Sequence, residues 1–221
     1  MKRILCYGDS NTWGYDVETT NRIGVSARFP EDVRWTGVMQ QLLGPEYRVL
    51  EEGLNGRTTV FDEPGACDKN GNGFLEVALR TCSPFDLIIL MLGTNDLKEV
   101  YHASSHVIMR GMERMIRTCR DVLAYTSSSQ AKIMIAAPLN VQAAGDGGFM
   151  YDFTPNSNRK GEEVRGKYRD LAQRLGCAFF DVNDYVQACP IDGVHLDAAS
   201  HRVLGEAMTA AVKEILSEER R

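Results

Sequence analysis

Asp192-Gly193-Val194-His195 sets a carboxylate three residues ahead of an imidazole, in a turn that contains glycine. At that spacing the carboxylate can accept from one ring nitrogen and leave the other basic, which is what a general base requires. A pair of this kind is common in surface turns and acquires meaning only beside a nucleophile. Ser10 is a candidate: in Gly8-Asp9-Ser10-Asn11-Thr12 it follows a short apolar run, residues 4–7. A serine hydroxyl at the end of a buried strand, with a histidine in reach, becomes an acyl-transfer nucleophile. Its competing role is that of a helix N-cap, for which serine is well suited. Acyl transfer also needs hydrogen-bond donors for the tetrahedral oxyanion. The backbone N–H groups of Ser10 and Gly56 and the side-chain amide of Asn95 are the candidates. Against them stand an ordinary turn glycine and an asparagine bonded to its own backbone.

These residues are scattered, so the fold must gather them. Residues 4–7, 47–50, 87–92, 132–137 and 177–180 read as strands. The run 87–92 is continuously apolar, as expected of a parallel strand covered on both faces. Helical stripes lie between them: Val38, Met39, Leu42 and Leu43; Ile108, Met112, Met115, Cys119 and Val122; Val164, Tyr168, Leu171 and Leu175; Leu204, Met208, Ala211 and Ile215. The alternation predicts an α/β fold, a flavodoxin-like three-layer αβα sandwich with a five-stranded parallel sheet, in a single domain over residues 1–221. Ligands of such sheets bind beyond the carboxyl ends of the strands. The clusters at 8–12, 53–58 and 93–96 each follow a strand, and 192–195 lies before the last helix, so all four converge on that edge. Stretches 61–73 and 141–158 exceed the usual connection of about 4–6 residues and read as loops that shape a pocket or meet another subunit.

In order and spacing, Gly8-Asp9-Ser10, Gly56, Gly93-Thr94-Asn95-Asp96 and Asp192-Gly193-Val194-His195 resemble the four sequence blocks of the SGNH (GDSL-type) hydrolase superfamily. The resemblance covers essentially the whole chain. The words Thr12-Trp13-Gly14, Val33-Arg34-Trp35-Thr36-Gly37 and Glu51-Glu52-Gly53-Leu54 are similar to the bacterial arylesterase/acyltransferase branch. The resemblance implies Ser10 as nucleophile, His195 as base and Asp192 as its orienting acid, with Ser10 N–H, Gly56 N–H and Asn95 as the oxyanion hole. It further implies a serine esterase for short-chain, acetyl-type esters, with transfer to alcohols as a second outcome and a homo-oligomeric assembly. Asn11 and Tyr15 depart from the branch, and with Trp13 they are candidate pocket residues. The alternatives are a carbohydrate acetyl esterase, a thioesterase or, from another class, a non-catalytic flavodoxin-like module that holds an anion.

A chain of 221 residues with 43% hydrophobic and 25% charged residues is a folded protein rather than a disordered one. A net charge of −5 provides no basic field for nucleic acid. The apolar runs fall short of the ~18 residues of a membrane span. Gly8-Asp9 arrives too early for a secretory segment, so a cytoplasmic protein is expected. The six cysteines form no C-x-x-C pair and read as free buried thiols. Asp68, Asn70, Asn72 and Gly73 open a calcium-loop pattern, but Leu79 occupies the position of its glutamate, and no metal or cofactor is expected. Asp9 reads as a turn-fixing residue, Arg57 as solvated or ion-paired, and His102, His106 and His201 as surface groups.

Overall fold

The computed structural model describes residues 1–63, 65–143 and 152–217. Strands β1 (Lys2–Gly8), β2 (Tyr47–Gly53), β3 (Leu87–Met91), β4 (Lys132–Ala137) and β5 (Ala178–Asp181) form one sheet in the order β2-β1-β3-β4-β5, every pair parallel. Around it lie helices α1 (Ser10–Trp13), α2 (Val17–Ile23), α3 (Trp35–Leu43), α4 (Gly71–Cys82), α5 (Ser105–Leu123), α6 (Pro155–Leu175) and α7 (Ala198–Ser217). Successive strand residues face opposite sides, and both sides are dry. Leu5, Tyr7, Ile88, Leu90, Ile133 and Ile135 join one core with the inner faces of α4, α5 and α6. Ile4, Cys6, Leu87, Ile89, Met134 and Ala136 join a second with α3 and α7. This is the expected three-layer sandwich.

Register matters most for function. Gly8 pairs with Gly53 on one side and Met91 on the other, so β1, β2 and β3 end level. The chain segments that leave them must therefore emerge at one edge. The strand order also reverses direction at β1, whose neighbours are β2 and β3, and such a switch point opens the crevice where doubly wound sheets bind ligands.

Helices α1, α2 and α4 carry too little apolar periodicity to be read from sequence. In α4, Leu75 and Leu79 are buried while Phe74 and Val77 face out. Both long loops end sooner than expected. Asn70 caps α4 by accepting from Gly73 N–H at 3.2 Å, which ends the first loop at Gly71. Pro155 begins α6 behind a Thr154 cap, with Ser157 Oγ accepting from Thr154 N–H at 3.1 Å. Residues 144–151 of the second loop lie outside the described residues. All six thiols are free, but only Cys6, Cys119 and Cys189 are buried; Cys67 is exposed. His201 corrects the surface reading, for it is fully buried with Nδ1 accepting from Trp35 N–H at 3.3 Å, and burial pulls its pKa down to about 4. Among the described residues no helix is long and apolar enough to cross a membrane.

Candidate active site

Ser10 opens α1 immediately after β1. The cap of that helix is Asp9, whose carboxylate accepts from Asn11 N–H at 2.9 Å. The capping duty thus falls on Asp9, and the Ser10 hydroxyl is left to another partner. It donates to His195 Nε2 at 2.9 Å. On the far side of the ring, His195 Nδ1–H donates to Asp192 Oδ2 at 2.5 Å. The other Asp192 oxygen accepts from the N–H groups of Val194 and His195 at 2.9 and 3.0 Å. Burial pushes the Asp192 carboxyl up, but the His195 ring and these backbone donors outweigh it, and its pKa lies below the ordinary carboxylate value. The aspartate thereby stays charged and fixes the tautomer in which Nε2 accepts. Tyr15 stacks on the imidazole with ring centroids 4.3 Å apart.

The other two segments are stapled together beside the serine. Asn95 Nδ2 donates to the Arg57 carbonyl at 3.0 Å, which binds the turn after β3 to the turn after β2. The next residue, Asp96, accepts from Thr59 N–H at 3.1 Å on both oxygens and from the Thr59 hydroxyl. Asp9 and Asp96 are fully desolvated, and burial raises each pKa from 3.8 to about 6 despite these donors. Gly56 adopts φ +77°, and with Ser10, Asn95, Tyr15 and His195 it lines a cleft of about 270 Å³. Ser26, Asn55, Glu63, Lys69, Lys98, Phe153 and Val194 complete its wall. Asn55 and Val194 belong to the clusters at 53–58 and 192–195 and Lys98 follows the cluster at 93–96, but no periodicity or motif singles out Ser26, Glu63, Lys69 or Phe153.

Two residues proposed for the pocket stand elsewhere. Asn11 and Trp13 do not line the cleft. Asn11 is turned toward the backbone around His195. The Trp13 ring lies under the Arg28 guanidinium at 5.1 Å. Among the described residues Arg57 is likewise neither solvated nor ion-paired. It is buried, stacks on Tyr7 at 4.1 Å and donates to the carbonyls of Gly8 and Glu52. Its guanidinium joins the ends of β1 and β2. His102 and His106 are exposed as expected. A larger hollow, about 750 Å³, opens by the amino-terminal ends of β4 and β5, where no serine–histidine pair lies among its lining residues.

A hydroxyl, an imidazole and a carboxylate in line at the carboxyl edge of a doubly wound sheet is the layout of a serine acylhydrolase. Residues 6–203 match the GDSL-like lipase/acylhydrolase family, and the chain belongs to it. The solved aryl esterase of M. smegmatis is 34% identical, with 97% of this chain and 99% of that one covered at a TM-score of 0.88. A carbohydrate acetylesterase from Sinorhizobium meliloti is 34% identical over 97% of this chain and 100% of its own, also at 0.88. An acetylxylan esterase from Xylanibacter ruminicola is 23% identical over 96% of this chain, which spans only 43% of that longer protein.

Proposed function

We propose that this protein is a serine esterase for short-chain, acetyl-type esters that works through an acyl-enzyme on Ser10. The observation that carries the reading is the unbroken line from the Ser10 hydroxyl through His195 to Asp192, at the wall of a small cleft. His195 Nε2 takes the Ser10 proton as the oxygen attacks the ester carbonyl. The developing oxyanion meets Ser10 N–H, Gly56 N–H and the second Asn95 amide hydrogen. His195 then returns the proton to the departing alcohol. Water repeats the sequence on the acyl-enzyme, with His195 again as base. A cleft of about 270 Å³ is below the ~300–1,000 Å³ usual for drug-sized ligands, which supports a short acyl group.

A carbohydrate acetate is the second reading. Asn55 Oδ1 is buried without a partner among the described residues and belongs to the cleft wall, with Glu63, Lys69 and Lys98 beside it. The charged side chains of this wall suit the hydroxyls of a sugar better than a bare aryl ring. The proposal extends to one domain over residues 1–221 and to self-association of copies. In Ser10→Ala and His195→Ala, p-nitrophenyl acetate hydrolysis falls at least ~1,000-fold, and the double variant loses no more than the singles because the two groups act as one unit. Activity retained in either single variant refutes the assignment. Relative kcat/KM on acetylated xylan and on aryl acetates then separates the two readings.

A further inference from the structure

Asn11 follows the serine, departs from the pattern of the arylesterase branch and stays out of the cleft, so its side chain needs another explanation. Its own peptide is pinned: the N–H donates to Asp9 at 2.9 Å and the carbonyl accepts from Trp35 Nε1 at 3.1 Å. The side-chain amide then crosses to the last loop. Nδ2 donates to the Val194 carbonyl at 3.2 Å, and Oδ1 accepts from Leu196 N–H at 2.9 Å. Those two groups stand immediately before and after His195. The pair of bonds copies what one residue of a neighbouring parallel strand would form across residue 195. Asn11 is 3% exposed, so water does not compete for either bond.

Other bonds around His195 do a different task. Asp192 holds the N–H groups of Val194 and His195, and Cys189 N–H donates to the His195 carbonyl at 2.7 Å. They lie within the segment 189–196 and set its shape. Gly193 O accepts from Gln142 N–H at 2.7 Å and ties that segment to the far side of the edge. The Asn11 pair joins it to the turn that carries the nucleophile. Tyr15 also touches the imidazole, but a stacked ring permits sliding where two opposed hydrogen bonds do not.

We propose that Asn11 is a positioning residue, whose amide locks the peptides flanking His195 to the Ser10 turn and so holds Nε2 within reach of the Ser10 oxygen. The proposal rests on the reading of Ser10 and His195 as nucleophile and base. Asn11→Leu is close in volume and forms neither bond. Because a misplacement of about 1 Å can cost ~100-fold, kcat on p-nitrophenyl acetate falls about 10- to 100-fold while KM moves no more than about twofold.

The deciding measurement is inactivation by a p-nitrophenyl phosphonate. The final amount of p-nitrophenol counts competent sites, and the rate constant reports how well the serine is activated. Asn11→Leu releases the wild-type amount at a rate reduced as much as kcat. Asn11→Asp keeps the acceptor for Leu196 N–H but opposes the Val194 carbonyl; it shows a smaller loss and decides the matter should the leucine variant not fold. A wild-type rate in either folded variant, or a smaller amount released at an unchanged rate, overturns the proposal. A phosphonate that fails to label the wild type, or labels Ser10→Ala equally, overturns the nucleophile reading instead.

Discussion

Replacing Asn95 by alanine removes two hydrogen bonds with different consequences. One amide hydrogen of Asn95 already serves the buried Arg57 carbonyl at 3.0 Å. The other is available to an oxyanion formed on the substrate of Ser10. Loss of one such donor raises the barrier by ~3–4 kcal/mol, so kcat falls about 100- to 1,000-fold. KM changes little, because the neutral ester carbonyl gains much less from that donor than the oxyanion does. The Arg57 carbonyl, left buried and unpaired, costs about 1–3 kcal/mol of stability. Urea unfolding reads the second effect, and steady-state hydrolysis of p-nitrophenyl acetate by fully folded protein reads the first. A variant that is destabilised but keeps kcat within about tenfold of wild type would falsify the oxyanion role and leave Asn95 as a staple between two turns.

Two glycines should respond in opposite ways to alanine. At Gly56 the added Cβ meets Lys69 Cε at 3.3 Å, which can move aside, and φ +77° costs about 1–2 kcal/mol, so stability drops modestly while the N–H and most of kcat survive. At Gly193, with φ +67°, the Cβ would lie 2.5 Å from the Gln142 carbonyl oxygen, so the turn between Asp192 and His195 must deform and kcat collapses by ~100-fold or more. The reverse order of sensitivity, read from paired kcat and melting curves, sinks that account. Asp9 and Asp96 give a pH prediction. Their folded pKa values, about 6 against 3.8, mean the native state binds protons more tightly than the unfolded chain, so stability declines as pH rises from about 4 to 6. Each carboxylate accounts for about 3 kcal/mol of that decline. Asp96→Asn still accepts from Thr59 N–H but no longer titrates, so its urea midpoint falls less across this window; parallel curves for variant and wild type count against the assignment.

The sheet and the meeting of Ser10, His195 and Asp192 were legible because each depends on local pattern. An apolar run followed by Gly8-Asp9-Ser10 announces both a strand and what leaves it, and Asp192 to His195 lie within a single turn. What escaped depends on partners remote in the chain. An amide such as Asn11 is equally suited to a pocket wall or to backbone carbonyls, and only the fold brings Val194 and Leu196 to it. Arg57 looks like a surface cation until the level ends of β1 and β2 present it with two carbonyls. His201 looks the same in sequence as His102, yet Trp35 and the α7 core enclose it. Helix α4 has two buried leucines over twelve residues, too few for a stripe, and depends on α5 and on the Asn70 cap for its definition.

Asp9 and Asp96 also explain how loops rather than secondary-structure elements can hold a site to fractions of an ångström. Each carboxylate is desolvated and accepts from a backbone N–H of a turn that carries a reacting or donor group: Asn11 N–H beside Ser10, Thr59 N–H close to Gly56. Inside a dry edge such bonds are stronger than in water, and the same dryness penalises the charge that makes them. Raised carboxylate pKa values and rigid turns are therefore two results of one cause. If so, Asp→Asn changes at these positions should trade stability at neutral pH against placement of the turns. A gain in the urea midpoint above pH 6 would accompany a loss in kcat, whereas a variant improved in both would show that the charges contribute nothing to holding the site.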